Sequence, residues 1–348
     1  MRRYLLLEDG DSFEGKAFGA SVEKSGELIF TTSSSGYYEA MTDPSYAGQI
    51  MVFAFPSIFY YEFWKDNQQS NGIKAEGIVV RDAPDITGRG FLAIDGMMKH
   101  QGIPGIYGID TRRLVKKIRD SGNIVGVITD DLNYSGSFER KSTVDLIRNV
   151  GPKSEIVLNR GMESKILFID LGTKSDLLRE ISAMGETHVA GLDARIGSIY
   201  DYDLIFISNG PGDPSDPGLN RIRDLIRKAE GNVPVAGVCF GHQIIGSSLG
   251  AELERMPYGH HGINHAVSDG RKIFITSHNH NFRISRESLK NSSLIEMQYD
   301  LNDGTVEMAG NIENGIISVQ YHPEGSPGPK DPASFFKAVE GLSNAIRN

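Results

Sequence analysis

The stretch Val233-Pro-Val-Ala-Gly-Val-Cys239-Phe-Gly-His-Gln243 joins an apolar, β-branched run to a helical pattern through a turn flanked by glycines. Its central residues, 237–241, follow the order glycine, any residue, nucleophile, any residue, glycine. This order is typical of a sharp strand-to-helix turn, which exposes the central side chain above a sheet edge and aims the next backbone N–H at the same point. We therefore interpret Cys239, the single cysteine of the chain, as a candidate nucleophile. The pattern alone is equally consistent with a small buried apolar residue.

A histidine and a carboxylate follow an alternating apolar run, Gly-Ile-Ile-Ser-Val-Gln-Tyr, in the order His322-Pro323-Glu324. Pro323 lacks a backbone donor and restricts the turn, so His322 and Glu324 are expected to project to the same side of the strand end. A Cys–His–acid triad is defined by the roles of its members, and a large separation along the chain is therefore no objection. Taken alone, the tripeptide is also typical of an ordinary turn.

A third turn, Ser208-Asn-Gly-Pro-Gly-Asp-Pro214, follows the apolar run Leu-Ile-Phe-Ile-Ser. Its glycines leave backbone N–H groups unobstructed, which suits them to a developing oxyanion or a substrate carboxylate. All three turns come at the carboxyl end of a predicted strand. In open α/β sheets ligands bind in the crevice outside these strand ends, so we expect the three turns to converge on one site.

Composition limits the class of protein. A chain of 348 residues is long enough for two domains. Its net charge of −9 argues against a nucleic-acid partner, because nucleic-acid binders concentrate lysine and arginine. One cysteine cannot form an internal disulfide, no stretch is long enough to span a membrane, and acidic residues soon follow the short N-terminal apolar run. These features predict a cytoplasmic protein with no membrane partner.

The C-terminal half alternates strand and helix patterns. Strands are predicted at 165–171, 204–208 and 233–238, and helices at 175–184 and 219–229. Later strands lack intervening helices, so we expect an α/β fold with an open mixed sheet and helices on both faces. In the N-terminal half the pattern predicts strands joined by turns, and a helix that begins near Asp110 and ends at a glycine. We place the first domain at 1–150, a polar linker at 151–164 and the second domain at 165–348.

Together, the cysteine turn, the Ser-Asn-Gly-Pro-Gly loop and His322-Pro-Glu324 resemble the class I, or triad, glutamine amidotransferases. Other motifs are similar to one branch of them, the small, glutamine-hydrolysing subunits of carbamoyl-phosphate synthase. These motifs are His322-Pro-Glu-Gly-Ser-Pro-Gly-Pro-Lys-Asp331, Phe30-Thr-Thr-Ser-Ser-Ser-Gly36, Thr42-Asp-Pro-Ser-Tyr46, Gly108-Ile-Asp-Thr-Arg112 and His261-Gly-Ile-Asn-His265. The resemblance implies an N-terminal swivelling β/β/α domain ahead of the amidotransferase domain.

The resemblance also implies residue roles. Cys239 would be the nucleophile, His322 the general base and acid, and Glu324 the group that orients the imidazole. Backbone N–H groups of Phe240 and Gly210 would stabilise the oxyanion. The implied glutamine-binding residues are Ser45, Gly210, Gly212, Phe240, Gln243, Asn279, Asn281 and Phe282. Asn281 and Ile263 stand where the family usually has glycine; asparagine tolerates left-handed backbone, whereas isoleucine does so only at a high energetic cost.

The activity implied by the resemblance is hydrolysis of L-glutamine through a glutamyl thioester. Ammonia would pass to the carbamoyl-phosphate synthase large subunit, a ligase that makes carbamoyl phosphate from bicarbonate and ATP for pyrimidine or arginine biosynthesis. The chain has no Gly-x-x-x-x-Gly-Lys-Ser/Thr loop, so ATP and Mg²⁺ are expected on that partner and no cofactor on this chain. Two alternatives stay open: an amidotransferase subunit for another acceptor, which generally lacks the first 150 residues, and a catalytically silent scaffold subunit.

Five histidines lie close together in the sequence, at His260, His261, His265, His278 and His280. Imidazoles a few residues apart can share a metal ion. No cysteine and no clear carboxylate accompany them in the sequence, so no metal site is predicted.

Overall fold

The structure is a computed structural model, and it describes residues 1–56, 58–61, 65–82 and 88–346. The chain divides into two compact units. The first takes in Met1–Ser142 and Pro257–Gly262, and the second takes in Thr143–Met256 and Ile263–Asn348. Within the described residues, no helix combines the length and the hydropathy needed to cross a membrane.

The first unit contains a closed barrel of seven strands, in the order β1-β2-β6-β5-β4-β3-β7. Successive side chains of its strands enter two different apolar cores. Along β4, Ile50 and Val52 belong to one core, and Met51 and Phe53 belong to the other. Asp110 caps α3 by accepting a hydrogen bond from the N–H of Arg113 (3.0 Å), and Gly122 follows its last residue, as the sequence predicts. The strands are β1 Arg2–Leu7, β2 Ser12–Gly19, β3 Lys24–Thr31, β4 Gln49–Phe53, β5 Gly77–Val80, β6 Pro104–Tyr107 and β7 Val125–Thr129, and the helices are α1 Tyr37–Thr42, α2 Arg89–Gln101 and α3 Thr111–Ser121.

The second unit is built on a ten-stranded sheet with the order β14-β13-β15-β16-β17-β12-β11-β9-β10-β8. Five central strands, from β17 to β10, are parallel, whereas β8, β15 and β16 pair antiparallel with their neighbours. The predicted mixed sheet is therefore confirmed. Its strands are β8 Ile156–Leu158, β9 Lys165–Asp170, β10 Glu186–Gly191, β11 Leu204–Ile207, β12 Val235–Val238, β13 Leu253–Ser268, β14 Ile273–Ile284, β15 Ile295–Asp300, β16 Val306–Asn311 and β17 Ile316–Val319.

Helices cover both faces of this sheet, as predicted. Along β11, Ile205 and Ile207 face one core, which includes side chains of α6 (Asn220–Ala229) and α7 (Phe240–Ser248). Leu204 and Phe206 face the other core, which includes side chains of α5 (Ser175–Ser182) and α8 (Ser334–Ile346). This is why β11 and β12 have no polar side chain and lack the alternation of a half-exposed sheet.

The polar segment that the sequence assigns to a domain end and linker contains regular structure. A further helix, α4 (Thr143–Val150), lies in the second unit because Ile147 packs into the core of that unit. Within the predicted linker, β8 pairs antiparallel with β10. The compact units thus change between 142 and 143, and the predicted linker supplies an edge strand of the second sheet.

Candidate active site

Three loops meet at neighbouring strand ends. In the sheet β12 lies between β11 and β17 and runs parallel to both. The loop 208–214, the turn at Cys239 and the segment 320–324 follow these three strands in turn. The same edge of the sheet therefore carries all three predicted motifs, as expected for strand ends in an open α/β sheet.

The backbone at Cys239 has the conformation of a nucleophile turn. Its φ of 54° and ψ of −104° are unusual for a residue with a side chain and cost about 1–3 kcal/mol. Contacts keep Cys239 in this strained conformation. Its backbone N–H donates to the carbonyl of Val319 (2.8 Å), and α7 begins at the next residue, Phe240. The Cys239 thiol is buried, and its Sγ lies 3.5 Å from the carbonyl oxygen of Asn279.

Gly241 permits the helix to start this close to the sheet, since a Cβ at this position would overlap the carbonyl oxygen of Ile207. We expect Gly241→Ala to lower the free energy of unfolding by about 1–3 kcal/mol, because the backbone must move to relieve the overlap. Urea denaturation would measure this change. Gly197→Ala is the matched control: an added Cβ meets no atom within 4 Å there, so a change within about 0.5 kcal/mol is expected. Equal stability of the two variants would show that a Cβ at residue 241 causes no costly overlap with the Ile207 carbonyl oxygen.

His322 and Glu324 form a buried pair. The Nδ1 atom of His322 is 2.7 Å from Oε1 of Glu324, and the backbone N–H of His322 donates to the carbonyl of Ser277 on β14 (2.9 Å). Because a carboxylate oxygen only accepts, Nδ1 carries the proton and Nε2 is the nitrogen left for chemistry. Among the described residues Nε2 completes no hydrogen bond of good geometry, although the Cys239 sulfur is close enough to influence the ring's pKa.

The electrostatics of the pair favour an imidazolium. Burial has the largest single effect on the His322 pKa and lowers it, and the Lys174 ammonium lowers it further. The Glu324 carboxylate and Cys239 together outweigh these effects and raise the pKa of His322 to about 10. Burial works against the charge of Glu324 as well. Lys174 and His322 nevertheless hold the pKa of Glu324 at about 2. An ionised carboxylate beside a protonated imidazole is therefore the favoured state of this pair near neutral pH.

Sequence reasoning missed Lys174. This lysine follows β9 in the turn Gly172-Thr-Lys174 and is only 1% exposed. Its Nζ lies 2.8 Å from Oε1 of Glu324 and donates to the carbonyl of Gly325 (2.7 Å). The sequence did contain a signal for this residue. Lys174 follows the apolar run of β9, and β9 lies next to β11 in the sheet.

Removing this ammonium would leave Glu324 with the imidazole as its remaining ion-pair partner. We expect Lys174→Met to lower the free energy of unfolding by about 3 kcal/mol or more, because breaking a buried pair leaves a charge poorly compensated. Lys165→Met provides the control, since Lys165 is exposed at the start of β9 and should change stability by less than about 0.5 kcal/mol. Chemical denaturation of both variants measures the difference. A Lys174 variant as stable as the control would show that the pair is unimportant for folding.

The loop 208–214 is held in place by polar side chains. Ser208 Oγ accepts a hydrogen bond from the N–H of Leu171 (2.9 Å), and Asn209 Oδ1 accepts one from the N–H of Lys174 (3.2 Å). Beyond them, the N–H of Asp213 donates to Oγ1 of Thr143 (2.9 Å). These bonds tie the backbone around the two candidate glycines, Gly210 and Gly212, to β9 and α4.

The remaining candidate glutamine-binding residues are divided between the two units. Ser45 lies in the first unit, where it is buried in a short turn and its N–H donates to Asp43 Oδ1 (2.9 Å). In the second unit, Gln243 on α7 donates from Nε2 to the carbonyl of Phe282 (2.8 Å). Phe240 begins α7, and β14 carries Asn279, Asn281 and Phe282. Their binding of glutamine stays a prediction.

The two departures from family glycines need no left-handed backbone. Ile263 lies within β13 and Asn281 within β14, and neither is among the described non-glycine residues with positive φ. Extended backbone accepts a β-branched residue readily, so Ile263 carries no strain of the kind that its family position suggests.

Comparison with known proteins matches both parts of the chain. Residues 5–128 match the family model described as "Carbamoyl-phosphate synthase small chain, CPSase domain", and residues 167–341 match "Glutamine amidotransferase class-I". Proteins named carbamoyl phosphate synthase small chain are similar over almost the whole length. The one from Thermoplasma acidophilum is 42% identical, covering 97% of both chains. The one from Archaeoglobus fulgidus is 37% identical, also covering 97% of both, and that from Bacillus caldolyticus is 37% identical, covering 97% of this chain and 95% of its own.

Proposed function

This chain belongs to the carbamoyl-phosphate synthase small chains and contains a class I glutamine amidotransferase domain, and from that premise we propose that it hydrolyses L-glutamine with Cys239, His322 and Glu324. The observation that carries the proposal is the buried His322–Glu324 pair at the strand end next to the strained turn at Cys239. The chemistry needs an imidazole that is oriented by a carboxylate and can exchange a proton with a thiol.

In the first half-reaction, the Cys239 thiolate attacks the side-chain amide carbon of glutamine. Pairing with the His322 imidazolium and the N-terminus of α7 stabilises the thiolate before attack. As the C–S bond forms, the amide oxygen becomes negative, and the N–H groups of Phe240 and Gly210 donate to it. Each donor of this kind is typically worth about 3 kcal/mol of transition-state stabilisation.

Collapse of this intermediate breaks the C–N bond. His322 transfers the proton on Nε2 to the leaving nitrogen, ammonia departs, and a glutamyl thioester remains on Cys239. Neutral His322 then takes a proton from water, and the resulting hydroxide attacks the thioester carbon. Breaking the C–S bond releases the side-chain carboxylic acid and restores the thiolate–imidazolium pair. The released acid loses its proton to solvent and becomes glutamate, so atoms and charge balance over the cycle. Glu324 stays ionised throughout and holds His322 in the required tautomer.

The ammonia would be used by a second polypeptide, the carbamoyl-phosphate synthase large subunit. This chain carries no phosphate-binding motif of the P-loop type, so ATP and Mg²⁺ are assigned to that subunit together with the ligase step. The intact cysteine, histidine and glutamate favour this function over a silent scaffold.

The test is to measure glutamate released from glutamine by the purified chain alone and again after addition of the large subunit. We expect turnover in the complex, with carbamoyl phosphate formed in proportion to the glutamine consumed. Absence of hydrolysis in both samples, from a protein that binds the large subunit normally, would support the scaffold alternative and overturn the proposal.

A further inference from the structure

The loop 208–214 has two anchors that lie outside the motifs found in the sequence. They are Thr143, the first residue of α4, and Arg223 on α6. Both residues belong to the second unit and are buried, with 5% and 8% of their surface exposed. The sequence places Thr143 in the first domain and gives no role to either residue, so their contacts with this loop come from the fold.

Thr143 packs against the middle of the loop. Its Oγ1 accepts a hydrogen bond from the N–H of Asp213 (2.9 Å). Gly212 has a φ of 102°, and a Cβ there would lie 2.7 Å from Cγ2 of Thr143. Gly210 is packed as closely, since a Cβ there would lie 2.5 Å from the carbonyl oxygen of Leu171, directly after β9. The loop therefore lies in contact with α4 and with the end of β9, and both contacts require glycine.

Few backbone N–H groups of this loop remain for a ligand. Pro211 and Pro214 have none, and Thr143 takes the N–H of Asp213. Within the part of the chain that the structure describes, the N–H groups of Gly210 and Gly212 donate to no protein acceptor. Both glycines are among the predicted glutamine-binding residues, so the contact with Thr143 leaves the N–H groups that this prediction needs.

Arg223 holds the end of the loop. Its guanidinium donates from Nη2 to the carbonyl of Pro214 and from Nη1 to the carbonyl of Asp216 (3.1 Å). A third bond, from Nη1 to Oδ1 of Asn220 (2.6 Å), fixes the guanidinium on α6. Burial opposes the charge and lowers the pKa of Arg223. A buried charge whose bonds go to neutral oxygens is a weak source of stability, so this contact favours a role in placing the loop.

We propose that Thr143 and Arg223 are positioning residues for glutamine hydrolysis, which hold the N–H groups of Gly210 and Gly212 in the direction of the substrate. This inference rests on the proposed function. In this role neither residue touches the substrate or the reacting atoms, and each acts through the backbone of the loop. Donors to a developing oxyanion must lie about 2.7–3.1 Å from it, and a misplacement of about 1 Å can lower the rate about 100-fold.

The first test removes the Thr143 hydroxyl and keeps the shape of the side chain. Thr143→Val retains the methyl group next to Gly212 but removes the acceptor for the Asp213 N–H. In the complex with the large subunit, we expect kcat/KM for glutamine to fall about 10-fold. Thr143→Ser restores the acceptor and should stay within about threefold of the wild type. Thr187→Val is the matched control with wild-type kcat/KM, because the Thr187 hydroxyl on β10 is also buried and donates to the carbonyl of Gly185 (3.0 Å).

The second test changes Arg223. Arg223→Gln should also lower kcat/KM about 10-fold, because a shorter and neutral side chain cannot bind the carbonyls of Pro214 and Asp216 together. Arg223→Lys keeps a charged donor and should recover part of the loss. Arg227→Gln is the control on the same helix, since Arg227 is half-exposed and pairs with Asp224 (2.5 Å), and its kcat/KM should equal that of the wild type.

Alkylation of Cys239 by iodoacetamide separates a positioning effect from general damage to the site. The reaction needs the thiolate but no donor from the loop, and Cys239 is the single cysteine of the chain. We expect Thr143→Val and Arg223→Gln to be alkylated at the wild-type rate although their kcat/KM is lower. Hydrogen exchange followed by NMR should show faster exchange of the Gly210 and Gly212 amides in both variants.

Normal kcat/KM in Thr143→Val and Arg223→Gln, or an equal fall in kcat/KM and in the alkylation rate, would overturn the positioning role. Failure of the proposed function gives a different result, because the wild-type chain would then release no glutamate in the complex. In that case unchanged exchange of the two glycine amides in the variants would overturn the inference as well, whereas faster exchange would show that Thr143 and Arg223 hold the loop.

Discussion

Replacing Cys239 by serine is expected to lower glutamine hydrolysis by at least about 10⁴-fold. A hydroxyl in this position is far harder to ionise than a thiol, and the imidazolium of His322 cannot stabilise an alkoxide at neutral pH to the same degree. Synthesis of carbamoyl phosphate from free ammonia by the complex should continue at the wild-type rate, because that reaction needs no nucleophile on this chain. Steady-state assays with glutamine and with ammonium chloride would measure the two effects.

Ser247→Ala is a suitable control for this variant. Ser247 lies on the same helix, α7, and its hydroxyl donates to the carbonyl of Ile244 within that helix (3.1 Å). This control should retain glutamine hydrolysis within about twofold, which corresponds to a small change in activation free energy. If Cys239→Ser hydrolyses glutamine as fast as the control, Cys239 is not the nucleophile. If both variants lose ammonia-dependent synthesis, damage to the assembly explains the loss.

Glu324→Gln is expected to lower kcat for glutamine hydrolysis by about 10⁴-fold, with little change in KM. An amide at this position can donate to Nδ1 of His322, which moves the ring proton to Nε2 and blocks proton exchange with the thiol. The substitution also removes the carboxylate that raises the pKa of His322, so the pKa of the ring should fall from about 10. Nitrogen NMR of the imidazole would detect both the altered tautomer and the lower pKa.

The matching control is Glu313→Gln, because Glu313 is exposed in the turn between β16 and β17. It removes one negative charge from the same unit without touching the pair, and its kcat should equal that of the wild type. A Glu324→Gln enzyme with normal kcat, or with an unchanged His322 pKa, would show that the carboxylate neither orients nor charges the imidazole.

Much of the second unit can be predicted from local patterns. Apolar runs mark the central parallel strands because both faces of these strands are buried, and glycine and proline mark the turns at their ends. The order of a parallel sheet then brings those turns to one edge without any knowledge of side-chain contacts. The predicted mixed sheet and its two helical layers are confirmed for this reason. The roles of Cys239, His322 and Glu324 remain predictions, although the structure places their segments on adjacent strands.

Other features depend on contacts between distant segments, which no local pattern encodes. A lysine after β9 looks like an ordinary turn residue until Glu324 is found 2.8 Å from its Nζ. The strand β8 has only three residues and lies in a polar stretch of sequence. It is recognised as a strand because it pairs with β10. Residues 257–262 lie within β13 but belong to the first compact unit. A division of the sequence into consecutive domains cannot assign such a segment correctly.

Motifs in the amino-acid sequence by themselves placed the chain in its family through their resemblance to known members. The α/β class of the second unit and the position of the candidate nucleophile also followed from the sequence, because backbone preferences and burial patterns act over a few residues. The tertiary structure alone decided the partners of the buried charges. Glu324 meets Lys174 only after segments far apart in the chain have packed together. A buried charge is stable only beside its compensating group, and that group is chosen in space, independently of its distance along the chain.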